Sequence, residues 1–341
     1  MKLRQVAAAI GATLLLGGGL FALGCQSSAL ASGKLYMKQQ KYDQAREQLE
    51  LAVQVEPANP DAHYALGRIC GLQGDYVELA EAFDRVQELS SEYDSQITEA
   101  RLHYWSKIYN DGVRAAQGRG ADLATARKHF DTAIRVLPDS LKSWRNRAAM
   151  DYQLGDIDGA LAGYEHILEI APEDTATARV MGVIHLNKKQ YDEAVASFEH
   201  VLQYGEHHGV LVNLASAQTE QQLTEAAVAT LQRALDLDAA CFTCHYNLGN
   251  LYWSKDAHSE ARESFLLALA LRPSDIDARY NLAITHLALE DLDAALPLLE
   301  SLSTDTPENG VVWRELGRIY ALSARIADSE AAYARAEEFG E

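Results

Sequence analysis

From Phe242 to Asp275 the chain reads FTCHYNLGNLYWSKDAHSEARESFLLALALRPSD, a stretch of 34 residues in which small and large side chains hold fixed places. Counted from Phe242, the residues His245, Leu248, Gly249, Tyr252, Ala261, Phe265, Ala268 and Pro273 stand at positions 4, 7, 8, 11, 20, 24, 27 and 32. Small residues at 8, 20 and 27 allow two helix backbones to approach closely, and the large ones fill the spaces between them. Proline at 32 ends the second helix.

The frame recurs. It starts at Pro60 (Leu66, Gly67, Phe83), Leu141 (Trp144, Ala148, Ala160, Tyr164, Pro172), Thr175 (Gly182, Ala194, Phe198) and His208 (Leu214, Ala215, Ala227, Leu231, Ala234). It continues at Ile276 (Leu282, Ala283, Ala295, Leu299, Pro307) and Gly310 (Trp313, Leu316, Gly317, Tyr320, Tyr333, Ala336). A first copy begins near Gln26, with Gly33, Tyr36, Ala45, Leu49, Ala52 and Pro57. These positions resemble the tetratricopeptide repeat (TPR), and the resemblance covers nearly all of the chain after residue 25. It implies an all-α fold: a right-handed superhelical solenoid of about nine TPR helix pairs, each stacking on its neighbours because one pair cannot bury its apolar face alone.

The spacing divides the array into residues 26–93 (repeats 1 and 2), 94–140 (repeat 3) and 141–341 (repeats 4 to 9). Repeat 3 gains about thirteen residues, and 96–117 reads as one long helix carrying Tyr104, Trp105 and Tyr109. A Gly118-Arg119-Gly120 turn follows, then Ala126, Phe130, Ala133 and Pro138. The aromatic stripe is either a contact surface or a packed seam between sub-arrays. The last residues, with Glu337, Glu338 and Glu341, are polar without forming an extra solvating helix, which leaves a homodimer through this end open.

Residues 1–24 have the layout of an export signal: Lys2 and Arg4, an uncharged apolar run of 18 residues from Val6 to Leu23, then small residues before a cysteine. The ending Phe21-Ala22-Leu23-Gly24-Cys25 resembles a bacterial lipobox, although Leu23 is one place later than usual. That resemblance implies cleavage before Cys25, acylation of its sulfur and anchoring in a lipid bilayer. Gln26 after the cysteine implies the outer membrane, facing the periplasm. An uncleaved membrane helix and a plain secretory signal are the alternatives.

Apolar residues at 48% and charged residues at 23% exclude a disordered chain. Without residues 1–24 the chain keeps 28 Lys and Arg against 49 Asp and Glu, a net charge of −21. Such a surface repels phosphate backbones, so no nucleic-acid partner is expected.

One motif could carry chemistry. Cys241-Phe242-Thr243-Cys244-His245 has the CxxCH spacing of covalent haem attachment. His245, however, occupies position 4, where other copies place His63, Trp144 and Trp313, so packing accounts for it. A covalent haem at Cys241, Cys244 and His245, a disulfide between the two cysteines, and two free thiols all remain open. Cys70 falls at an interior helix position. His200, His207 and His208 lack the tight spacing of a zinc signature. No phosphate loop or nucleophile elbow is present, and no cofactor or catalytic activity is expected.

In the family that the repeats resemble, first helices line the concave face. The residues this places there are Tyr64, Arg145, Arg179, Tyr246, Tyr280 and Arg314 at position 5, and Asn146, Asn213, Asn247 and Asn281 at position 6. Arg68, Asn250 and Arg318 follow at position 9, with Tyr152 and Trp253 at position 12. Arginines suit carboxylates, tyrosines give contact area at low entropy cost, and the asparagines resemble a ladder that grips a peptide backbone. The expected role is a membrane-anchored interaction scaffold for other proteins, taking an extended, partly acidic segment in its groove. An exported haem or redox protein and a chaperone for exported chains are the competing readings.

Overall fold

A computed structural model of the chain describes residues 27–118 and 120–341. The proposed signal of residues 1–24, the lipidation site Cys25 and Arg119 of the expected turn lie outside the described residues. The described residues form two compact units, one ending at His166 and one beginning at Ile167.

All secondary structure among the described residues is helical, as the repeat pattern requires. The helices are α1 (Ser28–Lys38), α2 (Tyr42–Val55), α3 (Pro60–Gln73), α4 (Tyr76–Leu89), α5 (Asp94–Ala116), α6 (Leu123–Val136), α7 (Leu141–Gln153) and α8 (Ile157–Ile170). They continue as α9 (Thr175–Asn187), α10 (Tyr191–Leu202), α11 (His208–Glu220), α12 (Thr224–Leu237), α13 (Phe242–Ser254), α14 (His258–Leu271), α15 (Ile276–Ala288), α16 (Leu292–Asp305), α17 (Gly310–Leu322) and α18 (Ile326–Glu338). In chain order they make nine pairs, and α5, with 23 residues, is the longest of the helices whose ends are described. None is long and apolar enough to cross a membrane.

Each pair is locked by a small residue of its first helix against a large residue of its second, an aromatic ring in most pairs and Leu49, Leu231 or Leu299 in the others. A Cβ added to Gly249 would lie 2.5 Å from Phe265 Cε1, and one on Gly67 would lie 2.6 Å from Phe83. Phe83, Phe130, Phe198 and Phe265, all at position 24, are fully buried. Each such ring contributes about 2–3 kcal/mol by leaving water. Outside the irregular third repeat, the turn between the helices of a pair passes through one left-handed residue at position 15. Gly74 and Gly155 fill it without strain, whereas Lys189, Gln222, Asp256, Glu290 and Ala324 hold it with φ between 56° and 62°.

Most first helices start on side-chain caps; α5 and α11 do not. Ser27, Asn59, Ser140, Asp174, Asp275 and Asn309 each accept a hydrogen bond from a backbone N–H in the first turn. Position 4 supplies a second recurring device. His63, Trp144, His245 and Trp313 each place a ring nitrogen 2.8–3.1 Å from the carbonyl six residues earlier, that of Pro57, Pro138, Ala239 and Pro307. The loop carbonyl is thereby satisfied and the loop pinned to the next helix.

The aromatic stripe of α5 is a seam. Trp105 Nε1 donates to Ser143 Oγ at 2.8 Å, Trp105 stacks on Tyr109 at 5.2 Å, and Tyr109 tilts against Phe130 at 5.7 Å. Tyr104 packs on Gly71 and Tyr76. Arg101, 7% exposed, donates to the Val136 carbonyl at 2.8 Å and pairs with Asp84, which ties α5 to α4 and α6. These contacts engage its terminal nitrogens and offset the cost of burying the charge, while Nε is buried without a hydrogen bond among the described residues.

Candidate peptide-binding site

Within each unit the first helices of successive pairs touch, α1 with α3 in the first unit and α9, α11, α13 and α15 in turn in the second. Positions 5, 6 and 9 therefore line up from one repeat to the next, and two clefts form along these helices.

The cleft in the first unit is basic and aromatic. It encloses about 440 Å³ between Lys34, Met37 and Lys38 of α1 and Tyr64, Arg68 and Leu72 of α3, with Tyr42 and Tyr93 at its edges. Tyr64 stacks on Tyr93 with ring centroids 4.3 Å apart, and the Arg68 guanidinium lies 6.0 Å from the Tyr64 ring. Lys34 pairs with Asp61 at 2.9 Å, and Tyr93 donates to the same carboxylate. Arg68 is exposed and forms no ion pair among the described residues.

The cleft in the second unit is neutral. About 280 Å³ lies between Ser216 and Thr219 of α11 and Asn247, Asn250 and Ser254 of α13, with Glu220 at the rim. Two of the position 6 amides share one contact. Asn at position 6 donates to the hydroxyl of a Tyr at position 5 of the preceding repeat: Asn146 to Tyr109 at 2.8 Å, and Asn281 to Tyr246 at 3.3 Å. Asn281 also donates to Asn250 Oδ1 at 3.0 Å. Arg179 and Val212 stand at the preceding position 5 for Asn213 and Asn247, and neither amide makes a side-chain hydrogen bond among the described residues.

The remaining groove residues divide by what they touch. Arg179 and Tyr152 are exposed. Arg314 pairs with Glu315 at 3.3 Å and with Glu341, and Arg318 reaches Glu315 at 3.5 Å, so these two arginines are held by the chain's own acids. Arg145 is half-buried; burial pushes the Tyr164 hydroxyl up, and the Arg145 charge opposes that shift. Trp253 lies against His258 at 4.7 Å, and Tyr280 packs into the core around Leu316. Burial, followed by the charge of Glu315, raises the Tyr280 hydroxyl above its ordinary value.

At the CxxCH motif the structure joins Cys241 and Cys244 in a disulfide, one of the three states that the spacing allows. Cys244 is fully buried, and His245 Nε2 is turned to the Ala239 carbonyl. In this state neither sulfur is free to bond a haem vinyl group. The sequence reading missed His208 beside them: its Nε2 is 3.7 Å from Cys244 Sγ. The signal was the repeat itself, which stacks position 1 of one copy next to the start of the following copy.

A family model described as TPR repeat matches residues 33–74, and one described as tetratricopeptide repeat matches 179–240, 212–276 and 280–341. Superkiller complex protein 3 of Mus musculus is 24% identical over 304 residues, which is 84% of this chain and 18% of that protein. Tetratricopeptide repeat protein 36 of Homo sapiens is 34% identical over 113 residues, 33% of this chain and 53% of that one. The chain thus spans less than a fifth of the first relative and about half of the second. Among solved structures, the C-terminal part of a TPR repeat-containing protein from Cytophaga hutchinsonii aligns at TM-score 0.57 and 17% identity, covering 70% of this chain and 95% of that one. A tetratricopeptide repeat protein from Parabacteroides merdae aligns at TM-score 0.50 and 14% identity, covering 70% and 93%. At such identities the likeness concerns the fold. The helix pairs, their small-residue and ring contacts and these matches agree: the chain is a tetratricopeptide-repeat protein.

Proposed function

We propose that the chain is a non-catalytic scaffold that holds an extended, partly acidic segment of another protein along its first helices. The observation that carries this is the basic and aromatic cleft, in which Lys38 and Arg68 surround Tyr42, Tyr64 and Tyr93 on a protein of net charge −19. Concentrating cations there against the prevailing charge favours a carboxylate-bearing partner, and tyrosine faces add contact area at low entropy cost. The neutral cleft, with the uncommitted amide of Asn247, suits a peptide backbone, whose N–H and C=O groups need both donors and acceptors.

The scaffold is placed in the cell envelope by acylation of Cys25, on the periplasmic side of the outer membrane. Several acyl chains hold a protein durably because each buried methylene contributes about 0.8 kcal/mol. Mass spectrometry of the N-terminal peptide from envelope fractions tests this: an acylated Cys25 is expected, and an intact residue 1–24 segment contradicts it. For the groove, peptides selected on the purified chain are titrated against wild type and the Tyr64→Ala/Arg68→Glu double variant. A loss of about tenfold or more is expected; unchanged affinity removes the groove assignment.

A further inference from the structure

Cys241, Cys244 and His208 form a constellation that peptide binding does not use. Cys241 takes the cap position that six other first helices give to Ser, Asn or Asp, and the Cys244 backbone N–H lies 3.0 Å from its sulfur. Cys244 takes position 3, buried, and His208 comes from the start of α11, one repeat earlier. The three candidate ligand atoms lie within 4.8 Å of one another, with His208 Nε2 at 3.7 Å from Cys244 Sγ. Packing alone accounts for a small residue at position 3. It accounts neither for a thiol as a cap nor for an imidazole facing the buried Cys244 sulfur.

We propose that reduction of this disulfide opens a mononuclear site for a thiophilic cation of the zinc class, held by Cys241 Sγ, Cys244 Sγ and His208 Nε2. Zinc binds sulfur at about 2.3 Å and imidazole nitrogen at about 2.0–2.1 Å, so tetrahedral ligands sit roughly 3.5–3.8 Å apart. His208 and Cys244 already have that separation. The two sulfurs are bonded and must move apart, which Cys241 can do, being 7% exposed while Cys244 is fully buried.

The chemistry balances with a dithiol as reductant. One of its thiolates attacks the Cys241 sulfur, breaking the protein S–S bond and forming a mixed disulfide; its second thiol then displaces Cys241. The reductant leaves as a cyclic disulfide, having given two electrons, and the protein holds two thiols. The first-turn N–H groups of α13 favour the thiolate form. The metal then replaces both thiol protons, which are released, and a fourth coordination position stays open.

The test uses the full-length chain with Cys25→Ser, reduced by a dithiol, freed of it without air and titrated with Co²⁺. One equivalent per chain is expected, with a sulfur-to-cobalt charge-transfer band and the intense visible bands of tetrahedral cobalt, all displaced by Zn²⁺. The oxidised chain should bind none. Cys241→Ser should abolish the charge-transfer band seen in the parent, and His208→Ala, verified as folded by circular dichroism, should weaken cobalt binding about tenfold or more. No charge-transfer band in the reduced parent, an unchanged affinity in His208→Ala, or one ion shared by two chains would overturn the proposal.

Discussion

The two clefts are built on the same frame and differ in what the frame carries. At α1 and α3 it presents Lys38 and Arg68 around stacked tyrosines; at α11 and α13 the corresponding surface is Ser216, Thr219, Asn247 and Asn250, without a cation. Beneath both lies the same contact, a glycine at position 8 against a ring at position 24, Gly67 on Phe83 and Gly249 on Phe265. The comparison separates the two jobs of a repeat. Positions that face the partner helix are fixed by packing, whereas those that face the cleft are free to vary in charge.

The largest effect should come from breaking the shared floor. Gly67→Leu and Gly249→Leu each drive a side chain into a buried ring and should cost about 3 kcal/mol, read as a lower denaturation midpoint. Each should also weaken binding in its own unit. The next effect sharpens the contrast in charge. Arg68→Glu should weaken an acidic peptide by about 2 kcal/mol at low salt and much less at high salt, because exposed charges are screened. Asn247→Ala should cost about 1 kcal/mol of binding at any salt concentration. Equal salt dependence at the two clefts would remove the distinction between them.

The turns give a smaller contrast. Gly74, below the basic cleft, has φ of 90°, and Asp256, below the neutral one, has φ of 56°. Gly74→Ala should destabilise by about 1 kcal/mol, and Asp256→Gly should be neutral or stabilise by about 0.5 kcal/mol, both measurable by urea titration.

The smallest effect at neutral pH is expected at Cys70, where burial pushes the thiol up to about 12 from 9.0. The folded state therefore keeps a proton that the unfolded state loses, so this contribution to stability is complete below the unfolded value and is lost as pH rises through the folded one. Alkylation at neutral pH should spare Cys70 in the native chain and proceed only on unfolding. Rapid native-state labelling would show the thiol to be accessible.

The fold was legible in the sequence because its determinants are local in the repeat frame. Gly249 and Phe265 are sixteen residues apart, a separation that recurs at Gly182 with Phe198 and Gly67 with Phe83. His245 was legible for the same reason, since position 4 aromatics share one hydrogen-bonding task. The cleft residues were legible by position and not by state. Arg314 and Arg318 read as groove cations, but Glu315 and Glu341 take them, and Glu341 stands 27 residues after Arg314, where only folding brings the two together. Asn281 read as a free ladder amide, but Tyr246 and Asn250 of the preceding repeat engage it, a contact visible only once repeats are stacked. His208 was set aside because His200 and His207, its histidine neighbours in sequence, do not share a zinc-signature spacing with it; its neighbours in space are Cys241 and Cys244.

The most direct test of the scaffold reading is site-specific photocrosslinking in envelope extract. A photoreactive residue is placed at Arg68 or Asn250, on the first helices, and at Leu51 or Leu266, exposed on second helices. Crosslinks to a defined partner segment from the first-helix positions, competed by excess acidic peptide and absent from the second-helix positions, are the predicted result. Crosslinks confined to Leu51 and Leu266, or spread equally over all four sites, would contradict it.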